Sequence, residues 1–265
     1  MLQIQDSQNH ERDPLDLRID GNAVDHVLQN TIAFAHLMTC YRCAMMEIET
    51  KFKVLNEEFS LRFDRQPISN IKTRLKSPLS IQEKMAKKGL PFSLEAMEKS
   101  LNDIAGIRVV CSFAEDVYML AEALISQDDI TLVERKDYIA HPKANGYRSL
   151  HLIVQVPIFL EHEKRLMKAE IQLRTIAMDS WASLEHQLRY KKEIAFDENM
   201  AAEMRKCADL SAELDSKMSE LKGLVEDNPQ YNSNRIETGF QQMQNRIKES
   251  LSRSAGHGIT ATDEE

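Results

Sequence analysis

The chain has 265 residues, of which 42% are hydrophobic and 29% charged, the composition of an ordinary soluble protein with one large domain or two small ones. Eight glycines, seven prolines and 6% aromatic residues give too few turns for an all-β sandwich or barrel, and the balance favours helices. A net charge of −8 argues against a general nucleic-acid coat, and the most apolar run, Leu150 to Leu160, is broken by His151, Gln155 and Pro157, so neither a signal peptide nor a membrane span is expected.

Residues 1–20 are polar without apolar periodicity and are expected to form a mobile arm. From Ala23 to Phe63, Val27, Ile32, Leu37, Met45, Ile48, Phe52 and Leu55 recur at helical spacing, which predicts one long helix or two consecutive ones. Cys40 and Cys43 form a C-x-x-C inside that pattern. With no second cysteine or histidine pair nearby, they read as small packing residues, with a metal site as the alternative. The four cysteines are too few for a disulfide scaffold, which fits a reducing cytoplasm.

After Pro67 a basic stretch begins. Ser80 followed by Glu83 suggests a capping box opening a short helix that ends at Gly89, and a further helix is expected from Ser93 to Leu101. The period then changes. Ile107–Phe113 reads as a strand, Asp116–Ser126 as an amphipathic helix, and Thr131–Tyr138 as a second strand; Ser149–Ile158 and Lys168–Thr175 read as a hairpin. The middle of the chain is therefore α+β with a mixed or antiparallel sheet. Helices are expected from Ala177 to Lys192, from Asn199 to Val225 and, after Asp227-Asn228-Pro229, from Arg235 to Leu251, with a disordered tail from 253 to 265.

Charge is unevenly spread. From Glu193 onward 15 acidic residues face 8 basic ones, whereas Lys72–Lys88 holds six bases (Lys72, Arg74, Lys76, Lys84, Lys87, Lys88) against Glu83 alone. Neither common glycine-rich phosphate loop is present, so any bound phosphates must be held by side chains. Candidates are that basic stretch together with Arg108, Lys143, Arg148 and Arg174, although such a run is often a solvated helix face. Asp103 precedes one strand and Glu170 lies within another, so both can point from a sheet into one cleft. Carboxylates among cations suggest Mg²⁺ shared with triphosphates, against the alternative of a helix cap and a surface ion pair. Lys168, Glu170, Gln172 and Arg174 alternate along one strand face, which is either solvated or lines a site. Tyr147, after Gly146, could stack on a base or simply pack. Trp181, Glu185, His186 and Tyr190 read as a helix seam, with His186 a core histidine.

Five segments occur in order: Arg74-x-Lys76-x-x-x-Ser80-Ile81-x-x-Lys84, Asp103-Ile104-Ala105-Gly106-Ile107-Arg108, Gly146-Tyr147-Arg148-Ser149-Leu150-His151, Glu170-Ile171-Gln172-Leu173-Arg174-Thr175 and Trp181-Ala182-Ser183-Leu184-Glu185-His186. Together they resemble the synthetase domain of the RelA/SpoT family of alarmone enzymes, over about two thirds of the chain, from Val24 to Lys192. The resemblance implies a nucleotidyltransferase-like mixed sheet flanked by helices, and transfer of pyrophosphate from ATP to the 3′-hydroxyl of GTP or GDP, giving (p)ppGpp and AMP. It implies residues 21–192 as the synthetase domain. The chain contains no His-Asp dipeptide, so a small synthetase without hydrolase activity is expected.

Carried over by position, Arg74 and Arg108 would sandwich adenine, with Lys76, Ser80, Lys84 and Lys88 around the ATP phosphates. Asp103 would bind Mg²⁺, with Glu170 as second ligand or as the group that deprotonates the 3′-hydroxyl and Gln172 beside it. Tyr147 would stack on guanine, and Lys143, Arg148 and His151 would hold acceptor phosphates. Residues 193–252 would build a homotetramer, the alternative being packing onto their own domain. Leu150 and Asp179 depart from common family patterns, where a Tyr and an Asn often stand. Two other readings stay open: the same fold with another acceptor (GMP, an adenine nucleotide or an RNA 3′ end), and a nucleotide- or RNA-binding protein without catalysis.

Overall fold

A computed structural model describes residues 21–63, 65–190 and 197–228, together with Lys248. The expected arm, the tail and, Lys248 apart, the helix from Arg235 to Leu251 lie outside the described residues. The chain divides into two compact units, Met1–Thr39 and Cys40–Glu265.

Helix α1 (Gly21–Phe63) is one helix, not two. In its second-unit part, Tyr41, Met45, Ile48, Phe52, Leu55 and Phe59 are buried at intervals of three and four, the stripe a helix needs to lie on a core. Polar groups fix its orientation: Lys51 Nζ pairs with Asp129 Oδ2 at 2.6 Å, and Asn56 Oδ1 accepts from Ile68 N at 3.0 Å.

The first departure from the sequence reading follows Pro67. Residues Ile68–Leu75 form strand β1 where only a basic stretch was evident. Just Ile68 of these eight residues is buried, because β1 is an edge strand with polar side chains above and below, and so carries no alternating apolar signal. Helix α2 (Pro78–Lys87) is also capped differently. Ser77, not Ser80, is the N-cap: its Oγ accepts from Ser80 N at 3.2 Å, and Pro78, with its fixed φ and no N–H to lose, starts the first turn.

The remaining elements lie close to expectation: α3 (Leu94–Ser100, capped by Ser93), β2 (Ala105–Cys111), α4 (Ala114–Ile125), β3 (Thr131–Asp137), β4 (Leu150–Phe159), β5 (Lys164–Thr175), α5 (Ile176–Tyr190) and α6 (Glu198–Glu226, capped by Asp197). The sheet order is β1-β2-β5-β4-β3. It is mixed because β2 and β5 run parallel while the other neighbours are antiparallel.

One face of the sheet is apolar. Ile107, Val109, Leu152, Val154, Ile171 and Leu173 are buried there, as are Val117, Leu120 and Leu124 of α4. The period-2 alternation that buries this face forces the intervening side chains to the opposite one. The register then lines them up: Lys72 is opposite Arg108, Arg108 opposite Gln172, and Gln172 opposite His151, while Arg74, Gly106 and Glu170 form the adjacent row.

Helix α6 packs on α5 through Met204 and Ala208, while Asp215 accepts from Thr175 Oγ1 at the end of β5 and Lys222 pairs with Glu115 of α4. Its other face carries Leu210, Leu214, Met218, Leu221 and Val225, all 45–64% exposed. His186 is exposed rather than in a core, so the expected seam of α5 is carried by Trp181 and Ala182; they point at α6, whereas His186 lies further round the helix. All four cysteines are unbridged thiols.

Candidate active site

The polar rows floor a cleft of about 570 Å³ lined by Lys72, Thr73, Arg74, Lys76, Asp103, Gly106, Ile107, Arg108, Glu170 and Gln172. Seven of the residues singled out from sequence thus meet in one place: Lys72, Arg74, Lys76, Asp103, Arg108, Glu170 and Gln172.

Asp103, in the turn leading into β2, is held by two lysines through the same oxygen. Lys76 Nζ lies 2.8 Å and Lys84 Nζ 2.6 Å from Oδ2, while Oδ1 is buried with no hydrogen-bond partner among the described residues. Burial alone would raise the pKa of this carboxyl. The two lysines outweigh it and hold the group below its ordinary range, so it is an anion at neutral pH. Glu170 follows the same logic: burial pushes up, and the imidazole of His151 beside it with a hydrogen bond from Gln172 pull further down. His151 Nδ1 is 3.4 Å from Glu170 Oε1, and Gln172 Nε2 donates to Oε2 at 3.0 Å.

A second group sits beside this one, at the start of β4. Tyr138, Tyr147 and His151 meet edge to face, with ring centroids 5.2 to 6.0 Å apart, and Lys143 Nζ lies 4.5 Å from the Tyr138 ring and 4.8 Å from that of Tyr147. Tyr147 Oη reaches His151 Nε2 at 2.8 Å, which joins this aromatic group to Glu170. Tyr138 carried no sequence signal, being the last residue of an ordinary-looking strand.

Other expected residues stand elsewhere. The Arg148 guanidinium turns onto α6, donating to Ala208 O at 3.1 Å and facing Asp209 at 3.5 Å. Lys88 donates to Ser100 O at 3.1 Å, and Ser80 Oγ accepts from Ser77 in the first turn of α2. Neither Lys88 nor Ser80 lines the cleft. Arg174, expected as one of several phosphate-binding cations, is instead a buried structural node, bound to Asp179 Oδ1 at 3.0 Å.

The loop that carries Tyr147 is clamped. Gly146 has φ +90°, and a Cβ there would stand 2.5 Å from Ala208 Cβ, so only glycine fits between the loop and α6. Arg205 Nη1 donates to Ala144 O at 2.6 Å, and Trp181 Nε1 to Met204 O at 3.0 Å.

A mixed sheet that gathers two anionic carboxylates and a bank of lysines and arginines in one open cleft defines an α+β protein built to hold polyphosphate. Comparison with known proteins narrows this class. The region found in RelA / SpoT proteins matches residues 73–195. The GTP pyrophosphokinase YwaC of Bacillus subtilis (strain 168) is 41% identical over 186 residues, covering 70% of this chain and 89% of that protein. The GTP pyrophosphokinase YjbM of the same strain is 36% identical over 188 residues, covering 71% and 87%. Among solved structures, small alarmone synthetase 1 from Bacillus subtilis bound to its product pppGpp matches with a TM-score of 0.67 at 34% identity, over 74% of this chain and 99% of that one. The chain belongs to the RelA/SpoT family.

Proposed function

We infer that this chain is a GTP pyrophosphokinase, an enzyme that transfers pyrophosphate from ATP to the 3′-hydroxyl of GTP or GDP and releases AMP. The observation that carries this reading is the pairing of Asp103 and Glu170 in one cation-lined cleft. Binding alone would need the cations; two carboxylates beside polyphosphate add repulsion unless they hold a metal or take a proton.

Arg74 and Arg108, on neighbouring strands, bracket the adenine of ATP, and Lys76 and Lys84 hold its phosphates. Tyr147 stacks on guanine, and Lys143, already above that ring, holds acceptor phosphate beside His151. Arg148, held by α6, supports the loop.

Asp103 and Glu170 supply hard oxygen donors, and the unpartnered Oδ1 of Asp103 fits a cation such as Mg²⁺. When bound between these two side chains, Mg²⁺ would neutralise phosphate charge. The protein's own part is positioning: the 3′-oxygen attacks the β-phosphorus in line, the new O–P bond forms as the bond to the oxygen of the α-phosphate breaks, and AMP leaves. Glu170, where it is not spent as the second metal ligand, takes the hydroxyl proton, and the lysines offset charge that spreads onto the phosphate oxygens.

Assay of AMP release from ATP with GTP, GDP or GMP tests this. The native chain should release AMP with GTP or GDP, and Asp103→Ala or Glu170→Ala should lose about 10³-fold or more of that rate with an unchanged circular dichroism spectrum. Full turnover in either variant would sink the assignment, and release with GMP alone would move the acceptor.

The exposed apolar stripe of α6 supports assembly into a homotetramer, with a mass four times that of the chain expected from light scattering. Among the described residues no helix is long and apolar enough to cross a membrane, which fits a cytoplasmic enzyme.

A further inference from the structure

Arg174 is a buried cation that the transfer chemistry does not use. Its side chain is 4% exposed; Nη1 is anchored on Asp179 at 3.0 Å, and Nη2 donates both to Tyr147 Oη at 2.7 Å and to Gln172 Oε1 at 2.9 Å. A guanidinium has donors and no acceptor. The Tyr147 oxygen therefore accepts from Arg174, and its single hydrogen must point elsewhere. His151 Nε2 stands 2.8 Å away. The hydroxyl donates to it, so Nε2 is the acceptor nitrogen. In a neutral imidazole the proton then belongs on Nδ1, the nitrogen 3.4 Å from Glu170 Oε1.

The same reasoning applies to Gln172. Its Oε1 must face Arg174, which leaves Nε2 to face Glu170 Oε2 at 3.0 Å. Each carboxylate oxygen of Glu170 thus meets an N–H whose direction is dictated by one donor-only group. With the other imidazole tautomer, Nδ1 would turn a lone pair toward the carboxylate, and Nε2–H would meet the hydroxyl hydrogen. With the amide flipped, an oxygen would face the carboxylate.

We propose that Arg174, anchored by Asp179, is a positioning residue that sets the tautomer of His151 and the amide orientation of Gln172, and through them aims both oxygens of Glu170. The catalytic consequence rests on the pyrophosphate-transfer reading; the tautomer does not. Arg174 touches neither nucleotide in this account and acts only through its neighbours.

The test uses the full chain, free of nucleotide, with ¹⁵N-labelled histidines, the His151 signals being assigned by their loss in His151→Gln. Recorded at a pH where the imidazole is neutral, the native chain should show His151 with the proton on Nδ1. Arg174→Gln puts an amide oxygen within reach of the Tyr147 hydroxyl, so the Nε2–H form should appear, and kcat should fall about 10- to 100-fold, the size typical of outer groups that orient a functional side chain. KM for ATP should not change. Arg174→Lys, again a donor only, should restore the Nδ1–H signature and part of kcat. Should Arg174→Gln fail to fold, Tyr147→Phe removes the donor to Nε2 and should give the same mixed signature.

Native His151 protonated on Nε2, or an unchanged signature in both variants, would overturn the proposal. A native chain with the Nδ1–H signature that releases no AMP would instead overturn the pyrophosphokinase reading and leave the tautomer assignment standing.

Discussion

The two banks of the cleft are built on different plans. The bank proposed to hold ATP, the donor bank, is local in sequence: its charged groups all fall between Lys72 and Arg108, on β1, α2, β2 and the turns that join them, and its cations are partly or largely exposed. Lysines of this kind are flexible, so the bank can adapt to a triphosphate, and Asp103 is where two of them converge. The bank proposed to hold the acceptor is assembled from distant segments. Tyr147 and His151 are tied to Arg174 of β5, which is tied to Asp179 of α5, and the loop backbone is held by Arg205 of α6. It is set before any ligand arrives. On the proposed assignment, ATP meets adaptable charge and the acceptor a rigid mould, where the ordering cost of binding has largely been met during folding.

The largest effect that separates the banks is expected from Gly146→Ala. A left-handed backbone with Ala208 in the way must shift, so KM for GTP should rise about tenfold or more, equivalent to roughly 1.4 kcal/mol, while KM for ATP stays unchanged. Steady-state kinetics with each nucleotide varied in turn decides it; equal effects on both would break the distinction between the banks. Lys84→Met should do the reverse and more mildly. Lys84 is partly exposed and Lys76 remains on Asp103, so KM for ATP should rise only about three- to tenfold, with KM for GTP untouched.

The smallest effect is on acid stability, and it is shared. Asp103 and Glu170 are both held below their ordinary values of 3.8 and 4.5. In that window the folded chain binds fewer protons than the unfolded one, so their stabilising contribution is present above the ordinary values and is lost as pH falls through the folded ones. Urea midpoints should be flat from about pH 7 to 5 and drop below about 4.5. Asp103→Asn and Glu170→Gln should each flatten part of that drop, and a midpoint that rises on acidification would contradict the assigned charge states.

The donor bank was largely legible in the sequence because its parts are short-range: a basic run, an aspartate ahead of a β-branched strand, and an arginine three residues into it. Three things there were hidden. Strand β1 buries too little to show a period, Ser77 rather than Ser80 caps α2, and Lys88 and Ser80 lie outside the cleft lining although their spacing matches the motif. The acceptor bank was legible only as a list of residue types. Nothing in the order Gly146-Tyr147-Arg148 says that Arg148 turns away to α6, that Tyr138 joins the ring cluster, or that Arg174 is buried. Those outcomes depend on α6, more than fifty residues further along, and on pairing between strands far apart in the chain.

By itself the sequence determined most of the elements, β1 excepted, and which chemistry is available: period is a local property, and the supply of two carboxylates among many cations can be counted. The tertiary structure alone decided which cations face the cleft, which of the expected contacts are spent on packing, and which nitrogen of His151 can face Glu170. Register and helix docking made those choices, because hydrogen-bond direction is a property of groups brought together in space and carries no trace along the chain.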